Sequence, residues 1–218
     1  MLKPRICVSV TENDQAAVMA VEPLVDLFEV RIDLIGAGWE SVARKISKPW
    51  IACCRSSAEG GEGDPDAEKR IGQLVEAVNS GARILDIEYS MPDLKKVISR
   101  FKPKVKCLIS FHDFKSTPSL DKLIDIVEKQ IAAGADLCKV ATTANTFEDN
   151  MTLLELAGMY SRYNIIAFAM GEAGRLSRIM SPLCGGYLTY AAVSPGKESA
   201  AGQMAVTELI KLYGYLKL

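Results

Sequence analysis

The chemistry that this sequence offers begins at its one histidine, His112, which closes the run LISFHDF at residues 108–114. A lysine, Lys139, lies inside the otherwise uncharged run LCKVAT. An imidazole, with an ordinary pKa of about 6.5, both takes and returns a proton near neutral pH. A lysine amine attacks a carbonyl when it is neutral, and desolvation or neighbouring cations such as Arg31 lower its pKa. The pair therefore suggests Schiff-base chemistry at an uncharged Lys139, although a satisfied core residue is the alternative for His112.

Other charged residues occupy runs that should form buried strands. The run LFEVRID, residues 27–33, alternates apolar Phe28, Val30 and Ile32 with charged Glu29, Arg31 and Asp33. Strands of a parallel barrel are covered on both sides, so the charged face should point into the barrel. Buried charges must pair with each other or with a ligand. An internal ion-pair network explains Asp33, Asp86 and Glu88, whereas an active-site role is favoured for Glu29, Arg31, Arg55 and Lys139 because they lie near the C-terminal ends of strands.

Eight short runs rich in Val, Ile and Cys predict the strands that position these side chains. They are RICVSV from Arg5, LFEVRID from Leu27, WIACCR from Trp50, ILDIE from Ile84, KCLISFH from Lys106, LCKVAT from Leu137, NIIAFAM from Asn164 and YLTYAAV from Tyr187. Segments with helical periodicity separate them. This alternation predicts an α/β fold, a (β/α)8 TIM barrel in a single domain over residues 1–218, rather than an open doubly wound sheet. The first loop, VSVTEND, also lacks the glycine-rich phosphate motifs of open sheets.

Helix ends and loops are marked by proline and glycine. Asp64-Pro65 and Thr117-Pro118 predict helix N-termini, and Gly81 and Gly134 predict left-handed C-terminal positions. Glycine is concentrated in AEGGEG, residues 58–63, and in SPGKESAAGQ, residues 194–203. Both stretches follow strands, so they should lie at the same end of the barrel. The second predicts a lid that closes over a ligand, with an ordinary mobile connection as the alternative.

The composition indicates which class of binding partner and which cellular compartment to expect. The chain has 26 Lys and Arg against 27 Asp and Glu, a net charge of −1, which gives no indication of nucleic-acid or membrane binding and favours a small-molecule partner. Its six cysteines show no metal-ligand spacing, so no metal is expected. We find no signal peptide and no apolar run of about 18 residues that would span a bilayer. These features predict a cytoplasmic protein.

A series of motifs in order along the chain resembles type I 3-dehydroquinate dehydratase, an enzyme of the shikimate pathway for aromatic amino acid biosynthesis. The motifs are Glu29-Val-Arg31-Ile-Asp33, Arg55 with Glu59 in RSSAEGGE, Ser110-Phe-His112-Asp113-Phe114, Lys139-Val-Ala141, Met170-Gly171 with Ser177-Arg178, and Ser199 to Gln203. Each motif is weak alone, but the ordered series covers nearly the whole chain and is specific.

The resemblance implies roles for the catalytic residues. Lys139 would form an imine with the ring ketone of 3-dehydroquinate, and His112 would remove the neighbouring proton and pass it to the departing hydroxyl. Glu59 would orient His112. The product would be 3-dehydroshikimate, formed without a metal or cofactor.

The resemblance also implies a binding site for a carboxylate that carries several hydroxyls. Arg178, Ser199 and Gln203 would contact the carboxylate and form the lid, while Ser9, Glu29, Arg31 and Arg55 would line the pocket. Met170, Phe114 and Tyr190 would be apolar walls, with core packing as the alternative. A homodimer is possible, because members of the family are often dimers.

The sequence differs from the usual pattern of this family in two places, and two other functions are also considered. Ala201 stands where members often carry a proline in the lid. Longer members close the far end of the barrel with an N-terminal hairpin, and here either side chains such as Met1 and Leu2 close that end or it is more open. A class I aldolase also uses a barrel lysine and an imine, and the glycines of MGEAGRLSRIM could bind its phosphorylated sugar. The other rival is a catalytically silent barrel that binds a metabolite or partner.

Overall fold

The computed structural model describes residues 3–217, and eight parallel strands alternate with helices as the sequence predicts. The strands are β1 (Ile6–Val10), β2 (Leu27–Arg31), β3 (Trp50–Cys53), β4 (Ile84–Glu88), β5 (Lys106–Asp113), β6 (Leu137–Thr143), β7 (Ile165–Met170) and β8 (Thr189–Ala192). The α-helices are α1 (Gln15–Val21), α2 (Ile32–Ile35), α3 (Trp39–Ala43), α4 (Ala67–Asn79), α5 (Leu94–Phe101), α6 (Leu120–Ala133), α7 (Glu148–Met159), α8 (Arg175–Met180) and α9 (Val206–Tyr215). The fold is a TIM barrel. Met1 and Leu2, expected to close one end, lie outside the described residues.

The sheet runs in the order β7-β6-β5-β4-β3-β2-β1-β8 and continues into a ninth strand, β9 (Met204–Ala205), which the sequence analysis missed. β9 pairs with β8, and its two residues follow directly on the predicted lid. Between β7 and β8 the described residues form no strand ladder, but the Tyr187 N–H donates to the Ile165 carbonyl at 2.6 Å. The barrel wall therefore has fewer backbone hydrogen bonds between β7 and β8, and the predicted lid segment returns beside β8.

Side chains along each strand alternate between the outside and the inside of the barrel, and this alternation separates the hydrophobic core from the candidate site. Phe28 and Val30 point outward and are fully buried under the helix layer. Seven apolar side chains fill the inside of the barrel toward its N-terminal end: Leu27, Ile51, Ile84, Leu108, Leu137, Ile166 and Leu188. The next inward-facing residues along several strands are polar, among them Glu29, Asp86, Ser110 and Lys139. The seven apolar side chains thus form a layer beneath a polar layer at the C-terminal end of the strands.

Several predicted boundaries shift in the structure. Helix α4 begins after Asp66, whose carboxylate accepts from the Glu68 N–H, so Asp64-Pro65 precedes the cap. Helix α6 likewise begins after Ser119, not at Thr117-Pro118. In both cases proline fixes an extended entry and the helix starts later. Gly81 and Gly134 do take left-handed conformations, with φ of 100° and 101°.

Strand β2 ends earlier than predicted. It stops at Arg31, so Asp33 belongs to helix α2 and not to the charged face of the strand. The carboxylate still forms an ion pair, as predicted, because both of its oxygens accept from Arg31, at 2.7 and 3.0 Å. A turn of helix brings it back over the strand end.

None of the helices within residues 3–217 combines the length and the apolar character needed to cross a membrane.

Candidate active site

A cavity opens at the C-terminal end of the barrel, between the two predicted glycine-rich loops. Nine of the ten predicted site residues line it: Glu29, Arg31, Arg55, Glu59, His112, Lys139, Arg178, Ser199 and Gln203. The exception is Ser9, which is fully buried and donates a hydrogen bond from Oγ to Glu29 Oε2 at 2.9 Å. Ser9 therefore supports the cavity wall from behind. The structure thus corrects the sequence-based prediction that Ser9 lines the pocket.

Lys139 projects from β6 into the base of the cavity and is 6% exposed. Its Nζ lies 3.1 Å from Asp86 Oδ2 and 3.5 Å from Glu29 Oε1. The same nitrogen lies 4.5 Å from the centroid of the Tyr190 ring, whose face attracts cations. The amine is thus held among two carboxylates and an aromatic face.

These neighbours correct the expected charge of Lys139. Burial by itself would lower the pKa of the amine, but Asp86 and Glu29 outweigh burial and raise the pKa above its ordinary value. Arg31 was expected to lower it, yet the guanidinium that acts in that direction belongs to Arg55. Before substrate binds, Lys139 is therefore an ammonium ion, not the uncharged amine that its burial alone suggested.

Asp86 belongs to an ion-pair network, as predicted, and the network reaches the Lys139 amine. Its Oδ1 accepts from Arg55 at 2.7 Å and from Ser110 at 2.5 Å, while Oδ2 faces Lys139. Burial would raise the pKa of Asp86, but Arg55 and Lys139 reverse that effect and hold the pKa well below its usual range. Asp86 is therefore a fixed negative charge. Glu88, two residues on, pairs with Arg70 at 2.9 Å and, more distantly, with Arg55 at 3.8 Å.

His112 lies on β5 beside Lys139. The register pairs Ser110 with Lys139 and His112 with Ala141, so the imidazole stands one inward-facing position beyond the amine. Its Nδ1 lies 3.2 Å from Glu59 Oε2. Burial, followed by the nearby positive charges of Arg55 and Lys139, lowers the pKa of His112 well below its ordinary value. The imidazole is neutral at pH 7 and can accept a proton.

Glu59 is held from two sides. Arg55 donates to Oε2 at 3.4 Å, and Ser90, which follows β4, donates to Oε1. Burial raises the pKa of Glu59 despite these two donors. The sequence analysis missed Ser90, although a hydroxyl directly after a strand's C-terminal end was a signal that could have found it.

Arg178, from α8, brings a buried cation into the cavity. The guanidinium lies 4.4 Å from the centroid of the Phe168 ring and donates to the Ala201 carbonyl at 3.3 Å. Within residues 3–217 it has no carboxylate partner, and its Nε has no hydrogen-bond acceptor. Burial lowers the pKa of Arg178 to about 10. A buried, unpaired, fork-shaped cation is suited to bind a carboxylate.

Three residues of the segment 194–203, which the sequence analysis predicts to be a lid, line the cavity: Ser199, Ala200 and Gln203. Gln203 Oε1 accepts from the Ser199 N–H at 2.7 Å and from Ser199 Oγ at 3.1 Å. The Ala201 carbonyl accepts from the Gly171 N–H at 3.0 Å, which ties the segment to the loop after β7. Gly202 has a φ of 79°, and a Cβ there would lie 2.3 Å from the Gly171 carbonyl oxygen. The segment therefore docks by close backbone approach.

The three expected apolar walls all line the cavity, in two different ways. Met170 and Tyr190 are 6% and 4% exposed, so they are walls and core residues at once. Phe114 is half exposed and stacks on His112, with ring centroids 6.0 Å apart. Core packing therefore does not account for Phe114.

Three buried side chains in the polar layer lie close enough together to be considered as metal ligands: Glu29, Cys53 and Asp86, with ligand atoms within 4.8 Å of one another. The chemistry of the group argues for a different role. Lys139 lies against both carboxylates, and Arg55 lies against Asp86 and 3.7 Å from the Cys53 sulfur. A metal ion would have to displace two buried cations from these positions.

The chain resembles known proteins over nearly its whole length. The family model described as type I 3-dehydroquinase matches residues 6–218. A 3-dehydroquinate dehydratase of Dehalococcoides mccartyi is 42% identical over 210 residues, which cover 96% of this chain and 95% of the relative.

Solved structures resemble the chain to a similar extent. A type I 3-dehydroquinate dehydratase from Clostridium difficile, crystallised with covalent modified comenic acid, has a TM-score of 0.83 at 25% identity and covers 98% of this chain and 92% of its own. The 3-dehydroquinate dehydratase of Geobacillus kaustophilus has a TM-score of 0.83 at 27% identity, over 99% and 91% of the two chains. Together with the cavity that joins Lys139 to His112, these similarities show that the chain belongs to the type I 3-dehydroquinase family.

Proposed function

We propose that Lys139 and His112 dehydrate 3-dehydroquinate to 3-dehydroshikimate, with Lys139 as the imine-forming residue and His112 as the general acid and base. The chain's membership of the type I 3-dehydroquinase family, in which relatives are named 3-dehydroquinate dehydratase, supports the overall reaction. The observation that carries the mechanism is the cavity itself. It places one amine, one neutral imidazole and a guanidinium that has no carboxylate partner within residues 3–217 around a single small volume.

Arg178 is proposed to bind the substrate's carboxylate. Its guanidinium has a positive charge without a counterion within the described chain, and a bidentate carboxylate would satisfy it. Glu29 Oε1 is buried and has no hydrogen-bond partner in the part of the chain that the structure describes. A substrate hydroxyl can donate to it, while Arg31 and Arg55 donate to others. Ser199 and Gln203 would close the lid over the bound ring.

The first chemical step joins Lys139 to the ring ketone. The ammonium first gives up a proton, which the neutral His112 can accept, and the amine nitrogen then bonds to the carbonyl carbon. The carbonyl oxygen leaves as water with the proton returned by His112 and a second proton from the nitrogen. The resulting iminium attracts electrons and makes the protons on the neighbouring carbon more acidic. This electron sink replaces a metal or a cofactor in the proposed reaction.

His112 then transfers a proton twice. In its neutral form it removes a proton from the carbon beside the iminium, which gives an enamine. The enamine expels the hydroxyl from the next carbon, and the protonated imidazole donates to that hydroxyl, so it leaves as water. Hydrolysis of the conjugated iminium frees the product and restores Lys139. Glu59, 3.2 Å from Nδ1, would hold the ring with Nε2 toward the substrate.

The lid contact weakens the rival aldolase hypothesis. Such an enzyme would grip a phosphate with backbone N–H groups after β7. Here the Gly171 N–H donates to the Ala201 carbonyl, and the Gly174 N–H donates to the Gly171 carbonyl. These groups are engaged by protein when the lid is docked, so they are poorly placed to hold a phosphorylated sugar.

Borohydride reduction in the presence of 3-dehydroquinate tests the proposal. We expect a reduced adduct on Lys139, located by peptide mass spectrometry, and rising ultraviolet absorbance from the conjugated product when borohydride is omitted. Lys139→Ala should lose both signals. Lys106→Ala, at the opposite end of the neighbouring strand, should keep both. If only phosphorylated sugars trap Lys139, the dehydratase mechanism is wrong and the aldolase hypothesis replaces it.

A further inference from the structure

The carboxylate of Asp86 touches the reactive nitrogen but not the space where the substrate binds. Its Oδ2 lies 3.1 Å from Lys139 Nζ, and the side chain has no solvent exposure. Asp86 is also not among the residues that line the cavity, whereas Lys139 is. The carboxylate therefore lies behind the amine, and the ketone must approach from the opposite side.

The orientation of this carboxylate is fixed by its other oxygen. Oδ1 accepts from the Arg55 guanidinium at 2.7 Å and from the Ser110 hydroxyl at 2.5 Å. Arg55 Nη1 also donates to Ser110 Oγ at 2.8 Å, which closes a three-membered network. With Oδ1 held in this way, Oδ2 stays directed at the Lys139 nitrogen.

The second carboxylate near the amine, Glu29, differs in two respects. Glu29 lies farther from Nζ, at 3.5 Å, and it lines the cavity. Its Oε1 accepts no hydrogen bond within residues 3–217, while Oε2 is held by Ser9. Glu29 therefore has an oxygen available for the substrate, and Asp86 does not.

The groups that face the Lys139 nitrogen come from several strands. They are Cys7 from β1, whose thiol pKa is raised by burial, Glu29 from β2, Cys53 from β3, Arg55 after β3, Asp86 from β4, His112 from β5 and Tyr190 from β8. Burial raises the pKa values of the Cys53 thiol and the Tyr190 hydroxyl, so both are neutral, as is His112. Arg55 is the nearby cation, and Asp86 lies directly between it and the amine.

We propose that Asp86 is the counterion of the Lys139 nitrogen throughout the reaction, first for the ammonium and then for the protonated imine. The inference rests on the proposed imine chemistry. When the ammonium and the ketone combine, the carbon–nitrogen bond forms, the carbon–oxygen bond breaks, and water departs with two of the three ammonium protons. The nitrogen therefore keeps one proton and one positive charge. A fixed negative charge at 3.1 Å stabilises both charged forms and needs no rearrangement between them.

The counterion matters because a protonated imine withdraws electrons far better than a neutral imine. Without Asp86, the iminium would lose its proton at lower pH, and removal of the neighbouring carbon's proton would slow. The free amine would also be neutral more often, and so more reactive. The proposal thus predicts opposite changes in amine reactivity and in turnover, which a merely structural role of Asp86 would not produce.

The test compares Asp86→Asn with Glu88→Gln, which removes a second buried carboxylate from the same strand. Without substrate, acetic anhydride should label Lys139 of the Asp86→Asn variant at least ~10-fold faster than wild type at pH 7, since each unit of lowered pKa increases the neutral fraction about tenfold. With 3-dehydroquinate, the Asp86→Asn variant should turn over more slowly than wild type. The alkaline limb of its plot of kcat against pH should shift to lower pH by about one pH unit or more. Glu88→Gln should leave the labelling rate and the limb in place.

Unchanged or slower labelling of Lys139 in folded Asp86→Asn would overturn the proposal. If that variant does not fold, the pH dependence of labelling in the wild-type protein tests the proposal. The pH at which labelling of Lys139 reaches half its maximum rate should lie above the corresponding pH for exposed Lys106. A lower value for Lys139 contradicts a counterion. The labelling needs no substrate, so it fails or succeeds separately from the dehydratase mechanism. That mechanism is judged by the wild-type borohydride adduct alone.

Discussion

The Nδ1 atom of His112 lies 3.2 Å from Oε2 of Glu59, and this contact leaves Nε2 as the imidazole nitrogen that is free to meet the cavity. A neutral imidazole that donates from Nδ1 to a carboxylate keeps its lone pair on Nε2. Ser90 and Arg55 hold Glu59 in turn. The proposed catalytic base, His112, is therefore oriented by a chain of contacts that reaches from the loop after β3 to the loop after β4.

Replacing His112 should separate imine formation from dehydration. We expect His112→Ala to lower kcat by about 10²- to 10⁴-fold, the usual contribution of a positioned acid and base. The borohydride adduct on Lys139 should still form, because the amine remains. Full turnover in this variant would remove His112 from the mechanism.

Glu59 should act through orientation, and this can be separated from its charge. Glu59→Gln keeps a carbonyl oxygen that can accept from Nδ1–H, so we expect about a tenfold loss of kcat or less. Glu59→Ala loses the acceptor and should approach the loss seen for His112→Ala. Equal rates for the two Glu59 variants would argue against an orienting contact.

The lowered pKa of His112 predicts a specific dependence of stability on pH. Burial, Arg55 and Lys139 keep the folded imidazole neutral, whereas the unfolded one takes up a proton below about pH 6.5. The unfolded state then binds more protons, so this contribution is fully present above about pH 6.5 and is lost as pH falls below it. The slope from one proton is at most about 1.4 kcal/mol per pH unit.

The chain has one histidine, so His112→Asn is a clean control for this effect. Urea unfolding at several values between pH 7 and pH 5 should show wild type losing free energy of unfolding more steeply than the variant. Parallel curves for the two proteins would mean that His112 is protonated equally in the folded and unfolded states.

Arg178 should strengthen substrate binding and lower the stability of the folded protein. Replacing it with methionine removes a buried cation that lacks a counterion within residues 3–217, and the stacked position over Phe168 suits an apolar chain. We expect KM for 3-dehydroquinate to rise roughly 10- to 100-fold, because charge-assisted bonds to a carboxylate are lost, and thermal unfolding to shift upward.

A matched variant is Arg175→Met on the same helix, where the exposed side chain pairs with Glu172 at 3.1 Å. It should change neither KM nor stability appreciably. A normal KM in Arg178→Met would place the carboxylate elsewhere in the cavity.

Docking of the 194–203 segment should depend on Gly202. In Gly202→Ala the added Cβ would lie 2.3 Å from the Gly171 carbonyl oxygen at a φ of 79°, so the segment cannot keep its approach. We expect a higher KM and faster proteolysis of the segment. Gly196→Ala is the control, because its φ of 83° imposes similar strain but nothing lies within 4 Å of the added carbon. Equal effects of the two substitutions would show that backbone strain, not docking, is responsible.

The sequence by itself determined the alternating elements and most of the cavity's residues. Strand periodicity placed Glu29 and Arg31 on the inner face, and the ends of adjacent strands brought Lys139 and His112 together. These inferences succeed because the two-residue repeat of a strand and the common direction of parallel strands are local properties that survive in the sequence.

Tertiary structure alone decided the charge of Lys139 and the position of its neighbours. The contact with Asp86 depends on the register across β4, β5 and β6, which no single run of sequence specifies. For the same reason Ser9 lies behind Glu29, and Ser90 reaches Glu59 from another loop. A pKa responds to every charge within a few ångströms and to burial, so it follows from how distant segments pack together.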